Sequence, residues 1–434
     1  MAIGAVAIYR SPHTYSGIIT REPDMADTRT KPLSCDLAVV GGGPAGLATA
    51  LLAARAGLKT VLAAPQARPD HRTFALMAGA VRMLQRLDAW EPLLPRSAPL
   101  RRLRIIDDTG RLLRAPTVEF DAGEIGLDAF AWNFPAAPLS KVLGDLVGNE
   151  KNVTWIAASV ASCDAGPDGC HLVLDDGTAI HANAAAAADG RGSLCREAAG
   201  IVVDTWRYPQ TAIVTTIAHD RDHMDVSTEF HRRTGPFTLV PLPGKLSSVV
   251  MAETPEGAER LGALDDDGLA NEIERRSHRL LGAVKIAGPR GAFPLTGLLP
   301  KVFAKNRVAL IGEAGHVVPP IGAQGLNLGL RDAAMLVECL TQTNDTDAAL
   351  ALYDRRRRGD VVSRSTAIDV LNRSLLSDLV PVQAVRALGL FAISRIEPLR
   401  RRIMSEGVAP GGGYTPAIMQ PDAEPDEDAL SLAV

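Results

Sequence analysis

The sequence predicts an α/β protein: a parallel sheet flanked by helices, an antiparallel β-sheet inserted into it, and a run of C-terminal helices. Three observations carry that prediction. Between Cys35 and Ala63, a short apolar run, a glycine-rich turn, a helix of small residues and a second apolar run follow one another. Extended stretches separated by turn signals dominate 205–300. Arg307–Gly312 then returns to a short apolar run and leads into helix-forming sequence.

Taken in order, Cys35–Val40 (CDLAVV) has the continuous apolar character of a strand buried on both faces. The turn at Gly41 opens a helix over Leu47–Ala56 that Gly57 ends, and Lys59–Ala63 forms the next buried strand. Strand, turn, helix and strand in so short a span make a βαβ unit, the start of a Rossmann-like domain. Further helices are expected over Ala78–Leu87 and Leu139–Val147. From Val153 to Ala188, Gly-Pro-Asp-Gly at 166–169 and Asp-Asp-Gly at 175–177 mark hairpin turns. The inserted sheet is expected to use Ala212–Ala218, Ser227–His231, Thr238–Leu242 and Ser247–Ala252, and helices to cover Leu326–Leu340 and the chain from Thr346 onward. The domain plan is therefore a disordered lead-in at 1–33, a discontinuous nucleotide-binding domain at 34–204 plus 302–345, a substrate sheet at 205–301, C-terminal helices at 346–408 and a flexible tail at 409–434.

Composition narrows the function. Hydrophobic content of 46% and charged content of 22% are those of a globular chain, and no apolar run reaches the length of a membrane span. A formal net charge of −4 gives no electrostatic case for nucleic acid as the main partner. The five cysteines show neither metal-ligand spacing nor an even count, so no metal site and no disulfide framework are expected.

Three motifs carry the chemistry. Gly41-Gly42-Gly43-Pro44-Ala45-Gly46 satisfies G-x-G-x-x-G through Gly41, Gly43 and Gly46, between a strand and a helix. That context supplies a tight turn, close backbone approach to a pyrophosphate and a helix dipole facing it. The acidic residue expected at the end of the second strand is absent; Ala64 stands there. The second motif, Asp189-Gly190-Arg191-Gly192-Ser193 with Arg196, follows the apolar run Ala184–Ala188. It reads equally as a ligand-facing sheet edge and as a strand-to-helix turn capped by Ser193. The third, Arg307–Asp332 (RVALIGEAGHVVPPIGAQGLNLGLRD), runs from a strand through a Gly/Pro-stiffened loop into a helix starting near Gly325. Glu313 can accept hydrogen bonds from a polyol, and free N–H groups at Gly325–Asn327 suit an acceptor edge that gains negative charge.

In this order and at these separations, the three motifs resemble those of the FAD-dependent aromatic monooxygenases, the para-hydroxybenzoate hydroxylase-like family, and in particular its ubiquinone-biosynthesis hydroxylase branch. Arg72-Thr73, Pro236–Gly244 (PFTLVPLPG), Pro319–Asp332, Tyr353–Asp360 (YDRRRRGD) and Pro398-Leu399-Arg400 are similar to that branch. The likeness spans 35–407. Ala64 and Glu313 depart from the broad family, Glu313 standing where Asp is usual.

The resemblance implies that Gly41, Gly43 and Gly46 hold the FAD pyrophosphate and Glu313 the ribitol. It places Pro319, Gly322, Gln324, Gly325, Leu326 and Asn327 along the flavin ring and Arg72 near flavin and pyrophosphate. Asp189 and Arg196 are linked to FAD and to the nicotinamide cofactor. It further implies that NADPH or NADH reduces the flavin, and that O2 then forms a hydroperoxide that hydroxylates a polyprenylated phenol. No triad, acid pair or metal cluster stands out; His316 is the one ionisable candidate, and a loop hydrogen-bonder is the commoner role for such a histidine. Basic and apolar residues in Arg395–Ile403 and Arg355–Arg358 raise peripheral contact with a membrane or a biosynthetic complex, although a solvated helix face explains them as well. A cytoplasmic location, extending to the inner face of the membrane, and a homo-oligomer are compatible with this reading. Hydroxylation of a soluble phenol, or a flavin-binding scaffold without turnover, are the alternatives. A flavin halogenase is disfavoured because Trp90, Trp132, Trp155 and Trp206 are scattered.

Overall fold

A computed structural model describes residues 32–65, 70, 72–111, 114–408 and 414–422. The lead-in, apart from its last two residues, lies outside the described residues, as do 409–413 and 423–434 of the expected tail. The first sheet runs in the order Val308–Leu310, Ala179–Ala187, Leu33–Val40, Thr60–Ala63 and Val153–Ile156, all parallel. The hairpin Val160–Gly166/Gly169–Leu174 continues it antiparallel to Ala179–Ala187. Val40 pairs with both Ala63 and Ala187, and Ala187 with Leu310. The C-terminal ends of these strands are thus flush, and the turns at Gly41, Asp189 and Gly312 leave along one edge.

Small side chains let both faces of this sheet be packed closely. Ala184–Ala187 are at most 1% exposed and leave room for packing on both faces. Helices Pro44–Arg55, Ala136–Asn149 and Gln324–Gln342 cover one face through Leu47, Leu51, Leu139, Leu143, Leu328 and Met335. Each such buried aliphatic side chain contributes about 1.5–3 kcal/mol. Cys195, Ala199, Leu172 and Leu174 pack on the other face. Pro44 at the first helical position starts its helix, and Gly57, at φ +87°, ends it in the left-handed region that favours glycine.

The second sheet alternates its faces. Ile213, Ile217, Val249 and Met251 pack beneath helices Pro255–Gly262 and Asp266–Arg276, while Val214, Thr216, Ser248 and Val250 face the interior groove. Phe237 stacks on Phe230 at 5.3 Å within the helix-covered layer, so the Pro236–Gly244 segment contributes sheet core. Two features differ from the sequence expectation. Arg102–Asp107 and Val118–Asp121 join this sheet, the former parallel to Val226–Arg232, so the insertion recruits strands from well before 205. The helices over 255–276 were also absent from that expectation.

Thr73–Met77, Ala131–Pro135 and Ala98–Leu100 form a small third sheet. The chain then continues through helices Thr346–Leu376, Val380–Arg395 and Glu397–Val408. Within the expected tail, residues 414–422 are docked: Arg82 and Arg86 donate to the Met419 and Ala417 carbonyls, and Arg356 lies 3.8 Å from the Tyr414 ring centre. Among the described residues no single helix is long and apolar enough to cross a membrane.

Candidate functional site

Because the parallel strands end flush, the first and third motifs open onto one groove of about 960 Å³. Gly43, Gly46, Arg72, Glu313, His316, Pro319, Gln324, Gly325 and Leu326 line it. Val214, Thr215, Ser248, Val250, Phe293 and Leu295 of the antiparallel sheet form the opposite wall. Thr73 Oγ1 and Ser248 Oγ, 2.7 Å apart, join the two walls.

At one end the glycines are fixed by contact. A Cβ on Gly41, whose φ is +114°, would meet the Ala188 carbonyl oxygen at 2.2 Å, and one on Gly46 would meet the Gly41 oxygen at 2.0 Å. A Cβ on Gly43 would meet nothing within 4 Å among the described residues and would stand in the groove. The helix that Gly43 caps has neither a side-chain cap nor an acidic residue in its first turn, so its first amide donors suit an anion. Ala64 is fully buried, and a Cβ on Gly42 would meet its Cβ at 2.9 Å, so this turn packs against the methyl where a ribose acid was expected.

In the middle of the groove, Arg72 makes a bidentate pair with Asp70, Nε–Oδ1 3.0 Å and Nη2–Oδ2 2.8 Å. Its Nη1 stands 3.5 Å from Glu313 Oε1, and Arg191 Nε donates to Glu313 Oε2 at 2.9 Å. The Glu313 carboxylate therefore lies between two guanidinium groups.

At the far end, helix Gln324–Gln342 also begins without a side-chain cap or a first-turn acid, after Ala323 at φ +53°. The Gln324 amide donates to the Gly322 carbonyl at 3.2 Å and accepts from Arg364 Nη1 at 2.9 Å. Asn327 does not line the groove: it accepts from the Met77 amide and donates to the Ala75 and Ala323 carbonyls, tying the third sheet to the helix start. Gly41 and Gly322 (φ +64°) shape the turns behind the surface.

The second motif is chiefly a brace. Ser193 caps the helix Leu194–Ala198, and buried Arg196 donates to the Ala314 and Arg191 carbonyls at 3.0 and 2.8 Å, clamping two loops together. Asp189 Oδ2 accepts from the Cys195 amide, while its buried Oδ1 has no hydrogen-bond partner among the described residues. His316 is 2% exposed and its Nε2 bonds Asp332 Oδ2 at 2.7 Å, which is the loop hydrogen-bonding role. Asp332 also accepts from the Gly312 amide and from Arg357 Nε. Burial alone would raise the Asp332 carboxyl; Arg357, His316 and the Gly312 amide outweigh it and hold it below the usual carboxylate range.

Asp70, Thr215, Ser248 and Phe293 are groove residues that sequence reasoning did not single out individually. Alternation in the strands around 214 and 248 was the available signal, but it does not say which face meets the groove. The residues present fit a dinucleotide flavin: a glycine cradle open at Gly43, an uncapped helix start at each end, and one continuous groove between them.

Comparison with known proteins agrees with that fit. A family model described as an FAD binding domain matches residues 34–365. The chain is 32% identical over 383 residues to the ubiquinone hydroxylase UbiL of Rhodospirillum rubrum, covering 85% of this chain and 88% of the relative. It is 29% identical over 385 residues to the 3-demethoxyubiquinol 3-hydroxylase of Escherichia coli, covering 85% and 97%. Among solved structures, Klebsiella pneumoniae HpxO complexed with FAD and uric acid superposes with a TM-score of 0.70 at 19% identity, covering 87% and 97%, which is a likeness of fold.

Proposed function

Since the chain belongs to the FAD binding domain family, among the FAD-dependent aromatic monooxygenases, we propose that it hydroxylates the aromatic ring of a polyprenylated phenol in ubiquinone biosynthesis, with NAD(P)H and O2 as co-substrates. The observation that carries this reading is the single groove: two junctions nearly 300 residues apart in sequence line one wall, and an antiparallel sheet lines the other. The names of the relatives in Rhodospirillum rubrum and Escherichia coli supply the substrate class.

In this proposal Gly41, Gly43 and Gly46 with the start of helix Pro44–Arg55 hold the pyrophosphate. Arg72 and Glu313 serve the ribitol and its surroundings, Glu313 exchanging an arginine partner for a hydroxyl. Pro319 and the amides of Gln324–Leu326 hold the ring, their helix dipole favouring negative charge on its pyrimidine edge. Gly322 and Asn327 set the turn from behind, and Asp189 and Arg196 hold the loops at the groove's edge. When bound, the flavin supplies transfer of electrons from NAD(P)H and activation of O2. The protein's part is to orient the phenol against Val214, Ser248, Val250 and Phe293 and to exclude water from the ring end.

The same reading puts the enzyme in the cytoplasm at the inner face of the membrane, where a polyprenylated phenol dissolves. Leu379, Val380, Val385, Leu388, Phe391 and Ile396 support this: each is at least 50% exposed on helix Val380–Arg395 or at its caps, beside exposed Arg395 and Arg402. The direct test supplies NADPH, a short-chain prenylated phenol and isotopically heavy O2. The expected result is stimulated NADPH oxidation and a product carrying one heavy oxygen on its ring. NADPH oxidation indifferent to the phenol, with no oxygenated product, contradicts the proposal.

A further inference from the structure

A chain of buried charge lies behind the ring end of the groove. Asp332 binds the Gly312 amide, His316 and Arg357. Arg357 Nη1 reaches Asp360 Oδ2 at 2.5 Å, and Asp360 also accepts from Arg331 at 2.8 Å and Arg364 Nε at 2.9 Å. Arg364 Nη1 then donates to Gln324 Oε1 at 2.9 Å. The network therefore begins at the loop carrying Glu313 and His316 and ends at the first residue of the ring-end helix. All three of its arginines and both of its aspartates are at most 11% exposed at their side chains.

We infer that Arg364, on helix Thr346–Leu376, is a positioning residue for the flavin ring: it fixes the Gln324 side chain and places surplus positive charge beneath the ring end. Three features support this, resting on the flavin reading above. A guanidinium only donates, so its contact settles the orientation of the Gln324 amide, oxygen toward Arg364 and NH2 toward the Gly322 carbonyl. That second bond braces the turn at Ala323, a non-glycine residue in the left-handed region that a side chain disfavours. Within the network, the three guanidinium groups of Arg331, Arg357 and Arg364 face the two carboxylates of Asp332 and Asp360, and of those three guanidinium groups Arg364 is the one that contacts a groove-lining side chain. Its Nη2 also reaches the Glu406 carbonyl at 3.4 Å, so the docking of helix Glu397–Val408 bears on the same guanidinium.

The test uses the full chain, freed of flavin and titrated with FAD by fluorescence, then reloaded for measurement of its midpoint potential. Arg364→Gln is expected to weaken FAD about tenfold, the size of one lost charge-assisted hydrogen bond, and to move the potential to more negative values because reduction places negative charge on the ring. Arg364→Lys keeps the charge and is expected to restore the potential while recovering only part of the affinity. Unchanged affinity and potential in Arg364→Gln, with only the melting temperature lowered, would mean that Arg364 merely holds helices together and would overturn the inference. Should Arg364→Gln fail to fold, Gln324→Ala decides, because it leaves every ion pair intact: weaker FAD binding supports the positioning role and unchanged binding refutes it. A wild-type chain that binds no FAD refutes the flavin reading itself and takes this inference with it, so the two failures are distinguishable.

Discussion

Gly43 and Gly46 belong to the same motif, yet the surrounding atoms ask different things of them. A Cβ on Gly46 would stand 2.0 Å from a backbone oxygen, which must move. Gly46→Ala is therefore expected to lower stability by about 1–3 kcal/mol, read by thermal unfolding without cofactor. A Cβ on Gly43 meets no atom of the described residues within 4 Å, and its φ of −71° suits any residue. Gly43→Val should therefore leave the melting temperature of the flavin-free protein unchanged and weaken FAD binding at least about tenfold, because the side chain occupies pyrophosphate space. A joint loss of stability at both positions would show that the motif is only a packing turn. The three glycines were legible in the sequence because their spacing encodes this geometry. The role of Asn327 was not: its side chain turns to Met77 and Ala75, on a strand far away in the chain.

Among the elements, the long helix Thr346–Leu376 is tied to the nucleotide-binding half through buried ions. Asp332 and Asp360 pair with Arg331, Arg357 and Arg364, in pairs separated by as much as 29 residues in sequence. Asp332→Ala leaves Arg357 buried beside an empty position and is expected to cost about 3–5 kcal/mol in chemical denaturation. Asp360, like Asp332, is held below the ordinary carboxylate range: its burial is outweighed by Arg357 and Arg331. Carboxyls depressed in the folded state contribute stability that is fully present above their unfolded values near pH 4 and is lost as pH falls through the folded ones. Stability should therefore decline as the pH drops below about 4, and less steeply in Asp332→Asn than in wild type; parallel declines would remove Asp332 from the account. Strand and helix identities around 35–63 and 307–340 were readable because apolar period and glycine placement are local properties. Arg102–Asp107 escaped notice because its arginines alternate with partly exposed apolar residues, and its parallel partner lies beyond residue 225.

In the molecule as a whole, the two lobes are interleaved. The inserted sheet borrows strands from the earlier chain, and the hydroxyl contact between Thr73 and Ser248 closes the groove from both sides. Topology of this kind depends on long-range pairing, which composition and period do not encode. The apolar face of the C-terminal helices belongs to the same scale. Phe391→Glu with Leu388→Glu should reduce sedimentation with phosphatidylglycerol vesicles several-fold while leaving FAD binding and turnover of a short-chain phenol intact. Equal sedimentation of wild type and variant would remove this face from membrane contact.

The central claim is that a single long ligand is gripped at both ends, by the turn at Gly41–Gly46 and by the helix start at Gln324. Titration of the flavin-free chain with FAD, ADP and riboflavin measures this directly. If both ends contribute, FAD binds at one per chain and at least about a hundredfold more tightly than either fragment. FAD binding no tighter than ADP would show that only the phosphate end is engaged, and would contradict the account.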